Sequence, residues 1–167
     1  MTQNKLDISR ATEAVKATRF VEALSLLESN LTKDPNHIDS LYLAAVCSRY
    51  LKNYDDAKKY IESLLSQAPD MGRAYQELGH LNRDIGNQEN SITHYRQACE
   101  LNPALMSSWK ALYDYFRSNK NKPAADHAFM QMNTLQSMPS ILLYISQILN
   151  EGKLGIAEEK CREFLKK

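Results

Sequence analysis

Three prolines, Pro35, Pro69 and Pro103, stand 34 residues apart (69 − 35 = 34; 103 − 69 = 34), each closing a similar phrase: LTKDPN, LSQAPD and CELNPA. A fixed period of this length requires a repeat array, because a unit so small buries its apolar face only against a neighbour. The small residues Ala23, Ala57, Ser91 and Ala125 keep the same step, and Ala157 follows after 32 residues (157 − 125 = 32), marking a two-residue deletion before the fifth copy. Five copies fill the 167 residues as one array: about 4–37, 38–71, 72–105, 106–137 and a truncated 138–167.

Within each copy, apolar residues recur at helical spacing, as in Ala57, Ile61, Leu64 and Leu65, and five glycines with five prolines are few for the length. The fold class is therefore all-α. First helices are expected near 5–17, 38–51, 72–85, 106–118 and 139–150, and second helices near 20–33, 54–67, 88–101, 123–136 and 154–166. Gly86 and Gly152 suit the turn inside a pair, where a left-handed residue commonly ends a helix. In the fourth copy SNKNKP supplies Asn and Lys there, and Pro123 suits the first position of the following helix. Small side chains at Ala45, Ala57, Gly79, Ser91 and Ala125 let paired helices approach closely.

These residues resemble the tetratricopeptide repeat, a helix pair with the pattern W-x2-L-G-x2-Y, then A-x3-F, then P. The third copy reads Tyr75-x2-Leu78-Gly79-x2-Asn82, then Ser91-x3-Tyr95, then Pro103; the fourth has Trp109, Leu112, Tyr113 and Phe116, then Ala125-x3-Phe129. The resemblance implies a right-handed α-solenoid of about five helix-turn-helix repeats, with first helices lining a concave groove. A narrower likeness, in QELGH, LNPAL-SSW-AL and G-x2-G-x-AEEKCREFLKK, is to the amino-terminal repeats of bacterial proteins fused to a sulfotransferase domain. That likeness implies a regulatory or substrate-presenting arm whose catalytic domain lies outside this chain.

Other classes find little support. A formal net charge of +1 leaves no basic footprint for nucleic acid. The amino terminus lacks a secretory apolar run, and ILLYISQIL at 141–149 is too short to span a bilayer, so a cytoplasmic protein is expected, with no membrane partner. Cys47, Cys99 and Cys161 are dispersed and odd in number, suited to core packing rather than a disulfide or zinc framework. Met130, Met132 and Met138 read as gap fillers near the irregular junction of the fourth and fifth copies. His37, His80, His94 and His127 have no metal-binding spacing, and no Gly-rich phosphate loop is present. No catalytic residue, metal or cofactor is assigned, and the chain itself reads as no enzyme.

The remaining signal is a ladder. Arg49, Arg83 and Arg117 share the 34-residue step near the ends of first helices (83 − 49 = 34; 117 − 83 = 34). In the groove that the resemblance implies, adjacent rungs lie about 10 Å apart. With Arg73 and Lys110 they form a stripe for an acidic or phosphate-bearing ligand, since the guanidinium fork matches carboxylate and phosphate geometry. Asp39, Glu77, Asp84 and Asp114 lie on the same helices and would equally make an ordinary solvated face. Tyr42, Val46, Gln76 and His80 add aromatic, apolar and amide groups suited to a protein or peptide segment. The carboxylate-clamp pattern of chaperone-binding members is not matched, its places carrying Tyr42, Val46, Glu77, Ser107 and Ala111. A second surface for partners, including a second copy, is expected at the carboxy-terminal face bearing Ile148, Phe164 and Leu165.

Overall fold

A computed structural model describes residues 3–150 and 152–165, among which there are ten α-helices and no strand. They are α1 (Gln3–Lys16), α2 (Phe20–Lys33), α3 (Ile38–Tyr50), α4 (Tyr54–Gln67) and α5 (Gly72–Asp84), then α6 (Gln88–Leu101), α7 (Met106–Ser118), α8 (Lys122–Ser137), α9 (Ser140–Asn150) and α10 (Leu154–Leu165). Every boundary among the described residues lies within two residues of the expected one; the expected end of the last helix at 166 lies outside them. Pro123 is the exception in detail, taking the second rather than the first position of α8, because Asn121 caps the helix by accepting a hydrogen bond from the Ala124 N–H at 3.3 Å.

The turns inside the pairs are built alike. Thr18, Lys52, Gly86, Lys120 and Gly152 all have positive φ, at 58°, 64°, 83°, 56° and 71°. They keep the spacing of the repeat, three steps of 34 and one of 32. In each turn the next residue donates its N–H five residues back, as Arg19 to the Ala14 carbonyl at 2.8 Å, Asn53 to Ser48 at 2.8 Å and Lys153 to Ile148 at 3.0 Å. This satisfies a carbonyl that the helix end would otherwise leave unpaired. Two of the five residues are glycine, for which this conformation is free of strain; Thr18, Lys52 and Lys120 adopt it at a cost of about 1–2 kcal/mol each.

The chain forms two compact units, each with its own apolar centre. Residues 80–87 join 1–70 in the first, and residues 71–79 join 88–167 in the second. In the first, Ala11, Ala14, Ala23, Leu27, Ala44 and Cys47 pack together, with Leu24, Leu43 and Tyr60 against them. Asn30 is also buried and donates to the Ser40 hydroxyl at 2.7 Å, tying α2 to α3. In the second, Tyr95, Cys99, Leu112, Phe116 and Ala128 form the centre. Gly79 lies beneath Tyr95: a Cβ there would come within 2.6 Å of the ring, while the Ser91 hydroxyl donates to the Gly79 carbonyl at 2.9 Å. The small residues of the pattern are thus contact points between helices.

Several expectations are corrected. Met130 and Met138 are exposed, so they fill no gap, whereas Met132 is half-buried. Cys47 and Cys99 are buried as expected, whereas Cys161 is only half-buried. Burial pushes the thiol pKa of Cys47 up to about 11 and that of Cys99 up to about 12, so both stay neutral and unreactive. At the carboxy-terminal face Ile148 is buried, because it packs inward with Ile145, while Phe164, Leu165 and Leu154 are exposed.

Candidate binding surface

In the first unit, α3 and the end of α5 bring together several residues of the expected groove. Arg49 is 7% exposed and donates through Nη1 to Asp84 Oδ2 at 2.9 Å. Arg83 reaches the other oxygen of the same carboxylate, its Nε and Nη2 standing 3.3 and 3.2 Å from Asp84 Oδ1. One carboxylate thus answers two rungs of the ladder. The Arg49 guanidinium also lies 4.5 Å from the centre of the Tyr50 ring, which stacks on Phe20 at 4.5 Å with an interplanar angle of 2°. Arg49 is therefore a packed ion-pair member rather than an exposed rung, and Val46, at 8% exposure, is likewise inside. Tyr42 and His80 are half-buried and Arg83 is exposed.

His80 feels this arrangement. Its pKa is lowered from the ordinary 6.5 to about 4, first by burial, then by the cations of Arg49 and Arg83, with Asp84 pulling weakly the other way. It is neutral at pH 7. Because the folded value lies below the unfolded one, the unfolded chain takes up this proton first as pH falls. The stabilisation due to neutral His80 is complete above pH 6.5 and declines as pH drops toward 4. Between pH 7 and pH 5 the loss is expected to be on the order of 1–2 kcal/mol, after discounting for partial exposure. Urea unfolding at the two pH values checks it: a His80→Gln variant should lose part of the wild-type dependence, and identical slopes would refute the assignment.

In the second unit, α7 carries the remaining rungs. Gln76 of α5 accepts from the Ser108 hydroxyl at 3.1 Å, so its amide serves first to join two helices. Arg73, on the same stretch of α5, is half-buried. Lys110 and Asp114 form an exposed pair one turn apart at 3.0 Å, which is worth a few tenths of a kcal/mol. Arg117 is different. Its guanidinium stands 6.0 Å from the centre of the Tyr113 ring, and among the described residues no carboxylate pairs with it. With Lys120, Lys122 and Asp126 it borders an open cleft of about 330 Å³. In the sequence Lys120 and Lys122 appear only as turn residues; the turn, which carries the chain from Arg117 back along α8, is what gathers the three cations at one cleft.

The described residues contain no group of three His, Cys, Asp or Glu side chains able to hold a metal ion, and no helix long and apolar enough to cross a membrane. Among solved structures, MamA 41-end from Desulfovibrio magneticus RS-1 is similar, with TM-score 0.67 and 19% identity over 80% of this chain and 76% of that one. The first TPR of Spaghetti (RPAP3) bound to the HSP90 peptide SRMEEVD has TM-score 0.63 and 15% identity, over 71% of this chain and 94% of that one. A Thermobaculum terrenum O-GlcNAc transferase mutant matches 70% of this chain with only 23% of its own length, at TM-score 0.64 and 22% identity. At such identities the likeness is one of fold alone. No curated protein sequence matches the chain. Two family models described as tetratricopeptide repeat match residues 14–80 and 72–105, the copies in which the proline period is clearest. With the ten helices among the described residues paired at that period, the chain carries tetratricopeptide repeats over residues 14–105.

Proposed function

We propose that the chain is a non-catalytic scaffold whose five helix pairs act as one array, and that it binds an acidic protein or peptide segment on its first-helix face. The observation that carries this reading is the cluster at the end of α7, where Arg117, Lys120 and Lys122 share a cleft with a single carboxylate, Asp126. Three cations against one anion leave an electrostatic deficit that a ligand carboxylate relieves, and the Arg fork supplies two parallel donors. Tyr113 gives the cleft an aromatic wall for the ligand's apolar stem. One repeat earlier the places of Lys120 and Lys122 hold Gly86 and Gln88 (120 − 34 = 86; 122 − 34 = 88), and two repeats earlier Lys52 and Tyr54 (120 − 68 = 52; 122 − 68 = 54), so of these pairs only the fourth carries a cation at all three places. The peptide held by the RPAP3 repeat, SRMEEVD, is itself acidic, which supports this reading by likeness of fold.

The test is fluorescence anisotropy of two labelled peptides of equal length, one Glu-rich and one with Gln at the same places. The Glu peptide is expected to bind more tightly, and increasingly so as salt is lowered. A Lys120→Glu, Lys122→Glu double variant should weaken it by tenfold or more, since reversal replaces two attractions by two repulsions. Arg83→Ala should change little, because Asp84 already engages that side chain. Equal binding of the two peptides, or no response to the double reversal, would remove the reading.

A further inference from the structure

A different face of α7 borders a second cleft, of about 440 Å³, that none of the ladder residues lines. Trp109, Leu112 and Phe116 make its floor, and small residues make its sides: Cys99 from α6, Ala124 and Ala128 from α8. The internal repeat shows that this opening is a feature of one pair rather than of the fold. One period earlier the side positions carry Leu65, Asn90 and His94 (99 − 34 = 65; 124 − 34 = 90; 128 − 34 = 94), all larger. The floor changes in the opposite sense, Tyr75 becoming Trp109 and Asn82 becoming Phe116 (109 − 34 = 75; 116 − 34 = 82). The fourth pair has lost bulk from the walls and gained aromatic surface beneath.

The charges at the mouth are equally specific. Arg96 lies over the Phe116 ring, 5.2 Å from its centre, and Glu100 stands one helical turn further on; among the described residues neither side chain is in an ion pair. The corresponding place before Arg96 is Glu62 (96 − 34 = 62), of opposite sign. Trp109 is already fixed, its indole N–H donating to the Pro103 carbonyl at 2.8 Å and its ring meeting His127 edge-on with centres 5.5 Å apart. A platform held in this way loses little freedom on binding.

We infer that this cleft takes the aromatic side chain of a partner peptide, with a carboxylate on the adjoining residue engaging Arg96 and a main-chain N–H donating to Glu100. The volume admits one aromatic side chain and its flanking backbone, at the lower end of the range for small-molecule clefts. The aromatic floor favours a ring by offset or edge-to-face contact. Among the described residues Arg96 has no counter-ion to surrender, so the ligand's carboxylate supplies the missing charge.

Trp109 is the only tryptophan in the chain, so its emission reports directly on the cleft. The probes are blocked hexapeptides, Gly-Gly-Phe-Glu-Gly-Gly and its analogues with Gln or Lys for Glu and with Gly for Phe. A saturable change in Trp109 emission is expected with the Phe-Glu peptide, tenfold or more weaker with the Gln form and absent without Phe. Arg96→Glu should reverse the preference toward the Lys peptide. Arg96 is exposed, so this variant keeps the fold, as an unchanged thermal melt would verify. Ala124→Leu, which narrows the cleft, should abolish the response, whereas Lys120→Glu, Lys122→Glu should leave it intact and so separates this site from the acidic-ligand cluster. No saturable change with the Phe-Glu peptide, or an Arg96→Glu chain with unaltered preference, would overturn the inference.

Discussion

Truncating Tyr95 to alanine is expected to destabilise the chain by about 3–5 kcal/mol, the cost of removing a large ring from a packed centre that cannot collapse behind it. Tyr95 is 1% exposed and lies among Ile92, Cys99, Leu112 and Phe116. Its ring is also the ceiling of Gly79, and this gives the prediction a sharper second arm. Gly79→Ala in the native background should destabilise by about 1–3 kcal/mol, because the new methyl would meet the ring and something must shift. An alanine in a helix otherwise gains about 1 kcal/mol over glycine. In a Tyr95→Leu background, where the ring edge is gone, the same substitution should become neutral or stabilising. Urea midpoints for the four variants form a double-mutant cycle. Additive costs would show that Gly79 is held by something other than the ring above it.

That contact illustrates what the sequence made legible. The proline period and the small residues at fixed places specified helix pairs and their close approaches, since a 34-residue step in Ala23, Ala57, Ser91 and Ala125 has no meaning outside a stacked array. Gly86 and Gly152 announced their turns by residue type. Thr18 and Lys52 did not, although the same left-handed geometry follows from their place in the repeat; position, rather than propensity, decides there. The candidate site was legible only in part. A period places a side chain on a helix but does not name its partner, so Arg49, Arg83 and Arg117 looked equivalent until Asp84 proved to serve the first two. Arg117 differs because the place of that carboxylate beside it is taken by the uncharged Ser118 (84 + 34 = 118). The aromatic cleft was hidden for a related reason: it arises from differences between copies, while repeat detection looks for their likeness.

The largest electrostatic effect is expected at Asp84. Replacing it with alanine should cost about 2–3 kcal/mol, below the roughly 3–5 kcal/mol typical of a fully buried broken pair because its side chain is 24% exposed. The asymmetry between the partners sets the sign. The Arg49 side chain is only 8% exposed and loses its 2.9 Å ion pair where little water can replace it, whereas Arg83 is 54% exposed and can turn to water. Adding Arg49→Met to Asp84→Ala should therefore recover much of the loss, since an apolar chain of similar length removes a poorly solvated cation together with its partner. Adding Arg83→Ala should recover little. His80 provides an independent readout: Asp84 is the one group holding its pKa up, so in Asp84→Ala the imidazole should titrate still lower than about 4, visible in the pH dependence of its ring-proton chemical shifts. An Asp84→Ala variant as stable as wild type, with the His80 titration unmoved, would mean that the carboxylate is a surface ornament of the two arginines and that the first two rungs are open to ligand after all.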